Sequence, residues 1–146
     1  AVRTMLGLDE VPELTYLQNE SFKAHFGYLP NTEDEIKASL LTTGAGVDDV
    51  VMIHDPYEQL VAYCWTATSD RDGSSIGRIG MTGVIPSARK IGLGRAIAEA
   101  GFNYLVHRQV DSIELDVDSE NVAAIRIYSS LGFSKSSELN WWEQSL

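Results

Sequence analysis

Cysteine occurs once, as Cys64, and this scarcity excludes a disulfide within the chain and any metal site built on several thiolates. Its setting, Leu60-Val61-Ala62-Tyr63-Cys64-Trp65, is apolar, so a small buried hydrophobe is expected there. Basic residues are few as well. With 11 Lys and Arg against 21 Asp and Glu, the formal charge is -10 and the pI is near 4.6. That balance argues against a nucleic-acid partner, whose binding rests on neutralising phosphates with cations. It favours a cationic substrate, although acidity also serves solubility alone. Of the three histidines, His54 and His107 have no partner at ligand spacing, so no metal is expected. No apolar run approaches the roughly eighteen residues of a membrane-spanning helix, and no charged segment leads into one at the start. The sequence therefore predicts no membrane partner and a cytoplasmic location. Repeats and low-complexity segments are also missing.

What is present fits one compact domain over residues 1–146, with 44% hydrophobic content supplying an ordinary core. Val2 to Leu6 suits a short strand. Val11, Leu14, Leu17 and Phe22 then suggest a helix to about His25, ended by Gly27 and Pro30. Thr32 followed by Glu35 reads as a capping box, and Ile36, Leu40 and Leu41 give the helix behind it an apolar face until Gly44. Asp49–His54 and Leu60–Thr68 read as strands joined across Asp55-Pro56-Tyr57-Glu58. After the turn Asp70 to Ser74, Ser75–Val84 is a further strand. Ser112–Val117 alternates apolar with polar residues, the period of a half-buried strand lying parallel to the one before it. Asn121–Leu131 is helical, and Phe133–Glu143 is a final strand carrying Trp141 and Trp142. The order β-α-α-β-β-β-α-β-α-β predicts an α/β (α+β) fold with a mixed, mostly antiparallel central sheet and a β-α-β crossover.

The richest stretch runs from Val84 to Ile97. Leu93, Ile97, Ala100 and Tyr104 form one stripe of an amphipathic helix, which puts Gly92 and Gly94 at its first turn, just after a strand. A helix start carries unpaired N–H groups and the positive pole of the macrodipole, and residues without Cβ admit a ligand close to the main chain. Arg89, Lys90 and Arg95 add positive charge in an otherwise acidic chain, so the segment suits a phosphate. A Gly-rich turn capped by surface cations has the same composition. No Gly-Lys pair is available for a P-loop, and Ile97 stands where a dinucleotide fingerprint needs a small residue. What remains is Arg-x-x-Gly-x-Gly at the end of a strand.

A second feature lies in the helix beginning Asn121-Val122-Ala123-Ala124. Asn121, Ala124 and Tyr128 stand three and four apart, so an amide, a small residue and a phenol share one face within two turns. An N-cap Asn with a half-buried Tyr has the same spacing.

Taken together, the loop and the Asn-x-x-Ala-x-x-x-Tyr-x-x-x-Gly-Phe helix resemble the GCN5-related N-acetyltransferase family, specifically from about Ser75 to Phe133. Within it the chain looks most like the mycothiol synthase type, which carries two such domains in tandem, so that this chain is one domain's worth. The resemblance implies acetyl-coenzyme A as co-substrate in a V-shaped gap where central strands part. It also implies an amine acceptor and leaves homodimerisation open. Backbone groups of Thr82 and Val84, with Gly83 between them, are implied to pair with the pantetheine arm. Arg89, Lys90, Ile91, Gly92, Leu93, Gly94, Arg95 and Ala96 are implied to hold the pyrophosphate. Asn121 and Ala124 are implied to line the donor, with Asn121 bonding to the pantetheine chain, and Tyr128 is implied to protonate the departing thiolate. A phenol with a pKa near 10 is protonated at neutral pH, as that role requires.

The chain departs from the family in one respect. Many relatives place a Glu on the strand before the loop, where Ser75-Ile76-Gly77-Arg78-Ile79-Gly80-Met81-Thr82 offers Arg78. Glu114, Asp116 and His25 are alternative bases, or else solvated surface residues. The expected activity is N-acetyl transfer to a primary amine of a small molecule or peptide. The alternative is a coenzyme A-binding domain without catalysis, and a structural role built on Trp141 and Trp142 is a third reading. Asp9, Glu10, Glu13 and Glu20, with Glu33, Asp34 and Glu35, concentrate acid in the two early helices, which suggests steering of a cationic acceptor.

Overall fold

The structure, a computed structural model, describes residues 2–22, 30–42, 49–88, 91–117, 121–135 and 141–145. Seven strands and four helices alternate along these residues: β1 (Val2–Thr4), α1 (Val11–Phe22), α2 (Glu33–Thr42), β2 (Val50–His54), β3 (Leu60–Arg71), β4 (Ser74–Val84), α3 (Leu93–His107), β5 (Ser112–Asp116), α4 (Val122–Ser130), β6 (Ser134–Lys135) and β7 (Trp141–Ser145). They form one sheet in the order β1-β2-β3-β4-β5-β7-β6. Every neighbouring pair is antiparallel except β4 and β5, which are parallel and joined through α3. The mixed sheet and its β-α-β crossover are as expected. The single last strand is not, because Phe133–Glu143 divides into β6 and β7, which pair antiparallel. Apolar content alone did not mark that break.

The sheet is covered on both faces. All five side chains of β2 are buried, and alternate ones feed two cores. Val51 and Ile53 join Ala62, Cys64, Ile97, Leu105 and Tyr128 under α3 and α4. Val50 and Met52 join Leu14, Leu17, Ile36, Leu40 and Tyr63 under α1 and α2. The stripe read for α3 lies along its buried face, with Ile97 fully covered and Leu93, Ala100 and Tyr104 packed at its margin. The face centres on Ile97, Ala98, Gly101 and Leu105. At Gly101 the helix lies so close to β3 that a Cβ would stand 2.4 Å from Cys64 Sγ. Cys64 is wholly buried, as its apolar setting predicts, and burial pushes its thiol up to about 12.

The capping box at the start of α2 forms as read: Glu35 N–H donates to Thr32 Oγ1 at 3.2 Å, and that hydroxyl donates to Glu35 Oε1 at 3.1 Å. In α1, Val11, Leu14, Gln18 and Ser21 follow the 3-4-3 spacing of a buried stripe, and all four are buried. Thr15 and Ser21 return their hydroxyl protons to the carbonyls of Val11 and Leu17, at 2.8 and 2.7 Å. The predicted end of this helix, at His25, lies outside the described residues.

Candidate active site

The site begins where two parallel strands separate. β4 and β5 pair from Ile76 with Ser112 to Ile79 with Leu115, and β4 then continues alone against β3 as far as Val84. The separation coincides with an irregularity. Trp65 is opposite Met81 and Thr66 opposite Ile79, so Gly80 is an extra residue in β4, a bulge that turns the strand. Three glycines at intervals of three, Gly77, Gly80 and Gly83, were the sequence signal for such a feature, since glycine inside a strand marks a bulge or a close approach.

Strand parity then says which backbone groups face the gap. Ile85 N–H donates to Val61 at 2.9 Å, so Gly83 and Met81 also direct their ladder groups toward β3. The N–H and C=O of Thr82 and Val84 point the other way, where β5 no longer runs. A cavity of about 340 Å³ occupies that space, lined by Ile79 to Thr82, Leu115 to Val117, Asn121, Ala124 and Tyr128. The structure thus brings Thr82, Asn121, Ala124 and Tyr128 together around one gap.

Tyr128 is 7% exposed, with its ring edge-on to Phe133 at 5.7 Å. Burial pushes its phenol up to about 12, and the neighbouring Cys64 acts in the same direction, while a hydrogen bond with the Thr82 side chain opposes them. The phenol therefore keeps its proton throughout the neutral range. Asn121 is the N-cap of α4, its Oδ1 accepting from Ala124 N–H at 3.1 Å. That bond leaves the Asn121 amide N–H groups as its remaining donors beside the gap.

Beyond β4 the chain passes through a short helical turn, Pro86–Ala88, toward α3. Arg89 and Lys90 lie outside the described residues. Ile91 is exposed, and Gly92 takes the left-handed conformation, with φ at 85°, as the N-cap of α3. No side chain among the described residues caps this helix, which leaves the N–H groups of Leu93, Gly94 and Arg95 to an anion. Ala96 N–H closes the first helical bond, to Gly92 at 3.1 Å. Gly94 packs toward α4, where an added Cβ would be 3.7 Å from Ile127. Arg95 is held along the same seam, by Glu99 at 2.9 Å and Ser130 at 2.5 Å.

A second cavity, of about 470 Å³, lies on the opposite face of β4, beneath α1 and α2. Gln18, Asn31, Glu35, Ile36, Ser39, Trp65, Thr66, Ala67 and Arg78 line it, together with Gly80 and Met81, which also border the first cavity. The two spaces thus share the bulged segment as a wall. Sequence reading missed Gln18, Ile36, Trp65 and Met81 here. The available signal was Gln18, a polar residue at a stripe position of α1.

The carboxylates considered as bases are already engaged. Glu114 is 2% exposed and accepts two hydrogen bonds from Arg71, at 2.6 and 3.2 Å, with Arg78 4.0 Å away. Asp116 is ion-paired with Arg78. Glu114 is therefore a buried charge-paired residue and not a solvated one, whereas Asp116 is exposed at the rim of the cavity and paired with Arg78. The third candidate, His25, lies outside the described residues. Of the acidic residues in the early helices, Glu35 reaches the second cavity, while Glu10 is paired with Arg3 and Glu13 lies in a separate surface groove. No helix of the described residues is long and apolar enough to cross a membrane.

Comparison with known proteins agrees with this geometry. Mycothiol acetyltransferase from Salinispora tropica is 42% identical over 83 residues, which is 56% of this chain and 27% of that protein. The protein of the same name from Rhodococcus erythropolis is 30% identical over 139 residues, covering 92% of this chain and 46% of its own length. The chain thus spans about half, or less, of these relatives. A GNAT family acetyltransferase from Brucella melitensis, solved in complex with acetyl-CoA, has the same fold, with a TM-score of 0.76 over 100% of this chain and 87% of that one at 12% identity. The family described as Acetyltransferase (GNAT) matches residues 12–133, and the chain belongs to it.

Proposed function

We propose that this chain is one acetyl-CoA-dependent N-acetyltransferase domain acting on a primary amine of a small molecule or peptide. The observation that carries this reading is the parting of β4 from β5 after Ile79 and Leu115, with Tyr128 and Thr82 lining the space so made. An extended pantetheine arm fits there as an added strand would, pairing with main-chain groups that β5 leaves unused. Its pyrophosphate falls at the uncapped start of α3, where Gly92 and Gly94 keep side chains out of the way. Arg89 and Lys90 add charge at that end, and Asn121 reaches the arm through its free amide donors.

Acetyl-CoA supplies an activated acyl group, and the residues here arrange its transfer. Backbone N–H groups beyond the bulge stabilise the carbonyl oxygen as it gains negative charge. The amine nitrogen forms its bond to the acyl carbon as the carbon–sulfur bond breaks. Tyr128 gives its phenolic proton to the leaving sulfur, and the proton shed by the amine passes to solvent. The raised phenol pKa keeps this proton on Tyr128 at neutral pH until the thiolate leaves. The mycothiol acceptor suggested by the relatives' name is not carried over, because Arg78, paired with Asp116, lines the acceptor side where an acid is common in the family.

Assay of coenzyme A release with a panel of amines, amino acids and short peptides tests the reading. Acetylated amine is expected in step with thiol release. Acetyl-CoA binding without turnover on any acceptor would favour the non-catalytic alternative.

A further inference from the structure

Gln18 is 3% exposed, lines the larger cavity, and its Oε1 has no hydrogen-bond partner among the described residues. Its other amide terminus, Nε2, donates to Met81 Sδ at 3.2 Å. The orientation is fixed by chemistry, since a thioether can accept a proton but cannot donate one to the amide oxygen. A buried acceptor left unpaired costs typically about 1–3 kcal/mol, so a ligand N–H that meets it recovers that cost. The contrast within α1 is direct: Thr15 and Ser21, equally buried, satisfy themselves on their own helix. The Tyr63 hydroxyl lies against the Gln18 amide without closing a bond of normal geometry, which leaves the oxygen unmet.

The location gives the role. Met81 and Gly80 form the wall common to both cavities, so the Gln18 amide, anchored on Met81, stands at the part of the larger cavity nearest the smaller one. The remaining lining gives the chemical class. Ile36, Trp65, Ala67 and Met81 make an apolar surface, the Arg78 charge is cancelled by Asp116, and the carboxylate left facing the space is Glu35. One unmet acceptor beside apolar walls suits an N–H donor on an apolar body. We propose that Gln18 is the positioning residue for the acceptor nitrogen, and that the acceptor is a primary amine carried on an aromatic or alkyl body with no carboxylate beside the amine. This inference rests on the acetyltransferase reading. Gln18 Oε1 accepts one amine N–H and leaves the nitrogen lone pair directed at the acyl carbon.

The probe is 2-phenylethylamine, titrated by calorimetry into the full chain saturated with coenzyme A, so that no turnover is needed. Wild-type protein is expected to bind it. Gln18→Met, which keeps the unbranched length and removes the acceptor, is expected to weaken binding about tenfold, the worth of one such hydrogen bond. Its thermal shift with coenzyme A should be unchanged. Gln18→Glu restores an acceptor oxygen at the same volume and is expected to bind the amine at least as tightly as wild type, a rescue that a purely structural role would not produce. Equal affinity in Gln18→Met, or weaker affinity in Gln18→Glu, overturns the positioning role. Failure of wild type to bind the amine while coenzyme A still raises its melting temperature overturns the substrate class alone. Failure of coenzyme A to raise it removes the reading beneath both.

Discussion

Ile79 and Leu115 are the last residues that β4 and β5 share, and the extra residue Gly80 follows at once. The irregularity coincides with the end of the parallel pairing that would have filled the gap, and beyond it strand alternation sends the side chains of Met81 and Thr82 to opposite faces. Met81 meets Gln18 on the α1 side, while Thr82 meets Tyr128 on the α4 side. The proposed donor and acceptor sites thus lie on opposite faces of one strand.

Tyr128→Phe keeps the ring against Phe133 and removes only the proton. Turnover is expected to fall by roughly 10²- to 10⁴-fold with coenzyme A affinity little changed. Steady-state kinetics beside a coenzyme A titration checks this, and undiminished turnover would assign the proton to another donor.

Stability should be lost at high pH in a defined window. The Cys64 thiol moves from 9.0 to about 12 and the Tyr128 phenol from 10.0 to about 12, both chiefly through burial. Below about pH 9 the folded and unfolded chains hold these protons equally, so the two groups make stability independent of pH. Between about pH 9 and 12 the unfolded chain releases protons that the folded chain keeps, and stability falls. Urea midpoints measured from pH 8 to 12 should show this decline, and Cys64→Ala should make it shallower.

Gly101→Ala should destabilise the fold by about 1–3 kcal/mol, because the new methyl group would stand 2.4 Å from Cys64 Sγ and 3.2 Å from its Cβ, and Cys64 is wholly buried. The penalty should shrink when Cys64 is also replaced by Ala. A double-mutant cycle by chemical denaturation reads the coupling, and strict additivity would mean that α3 and β3 relax apart.

Much of the candidate site was legible before any coordinates, and the reasons are local. Gly92 and Gly94 announce a helix start through their place between a strand and an apolar stripe, and Asn121, Ala124 and Tyr128 share a face because helical spacing requires it. What the sequence did not show depends on contacts between distant segments. Glu114 looks like the polar half of an alternating strand, yet it is buried because Arg71, 43 residues away, reaches it from β3. The β6–β7 division is set by pairing across the sheet edge, which no periodicity records. Gln18 could have been noticed as a polar residue in an apolar stripe, but only the cavity beside it shows that its oxygen is unmet.

Arg89→Ala tests the phosphate end of the site from the sequence motif. Coenzyme A affinity should drop by on the order of 1.5 to 3 kcal/mol, the value of a charge-assisted hydrogen bond, with unfolding in the absence of ligand unaffected. Calorimetric titration with coenzyme A and with dephosphorylated pantetheine separates the two ends, since only the former should lose affinity.

The central claim is that the gap between β4 and β5, with the α3 N-terminus beside it, holds acetyl-CoA. Thermal unfolding of the protein with increasing acetyl-CoA measures this most directly. At about a hundred times the dissociation constant, ligand should add roughly 2.7 kcal/mol to stability and raise the melting temperature progressively with concentration. A melting temperature unmoved by millimolar acetyl-CoA would contradict the account.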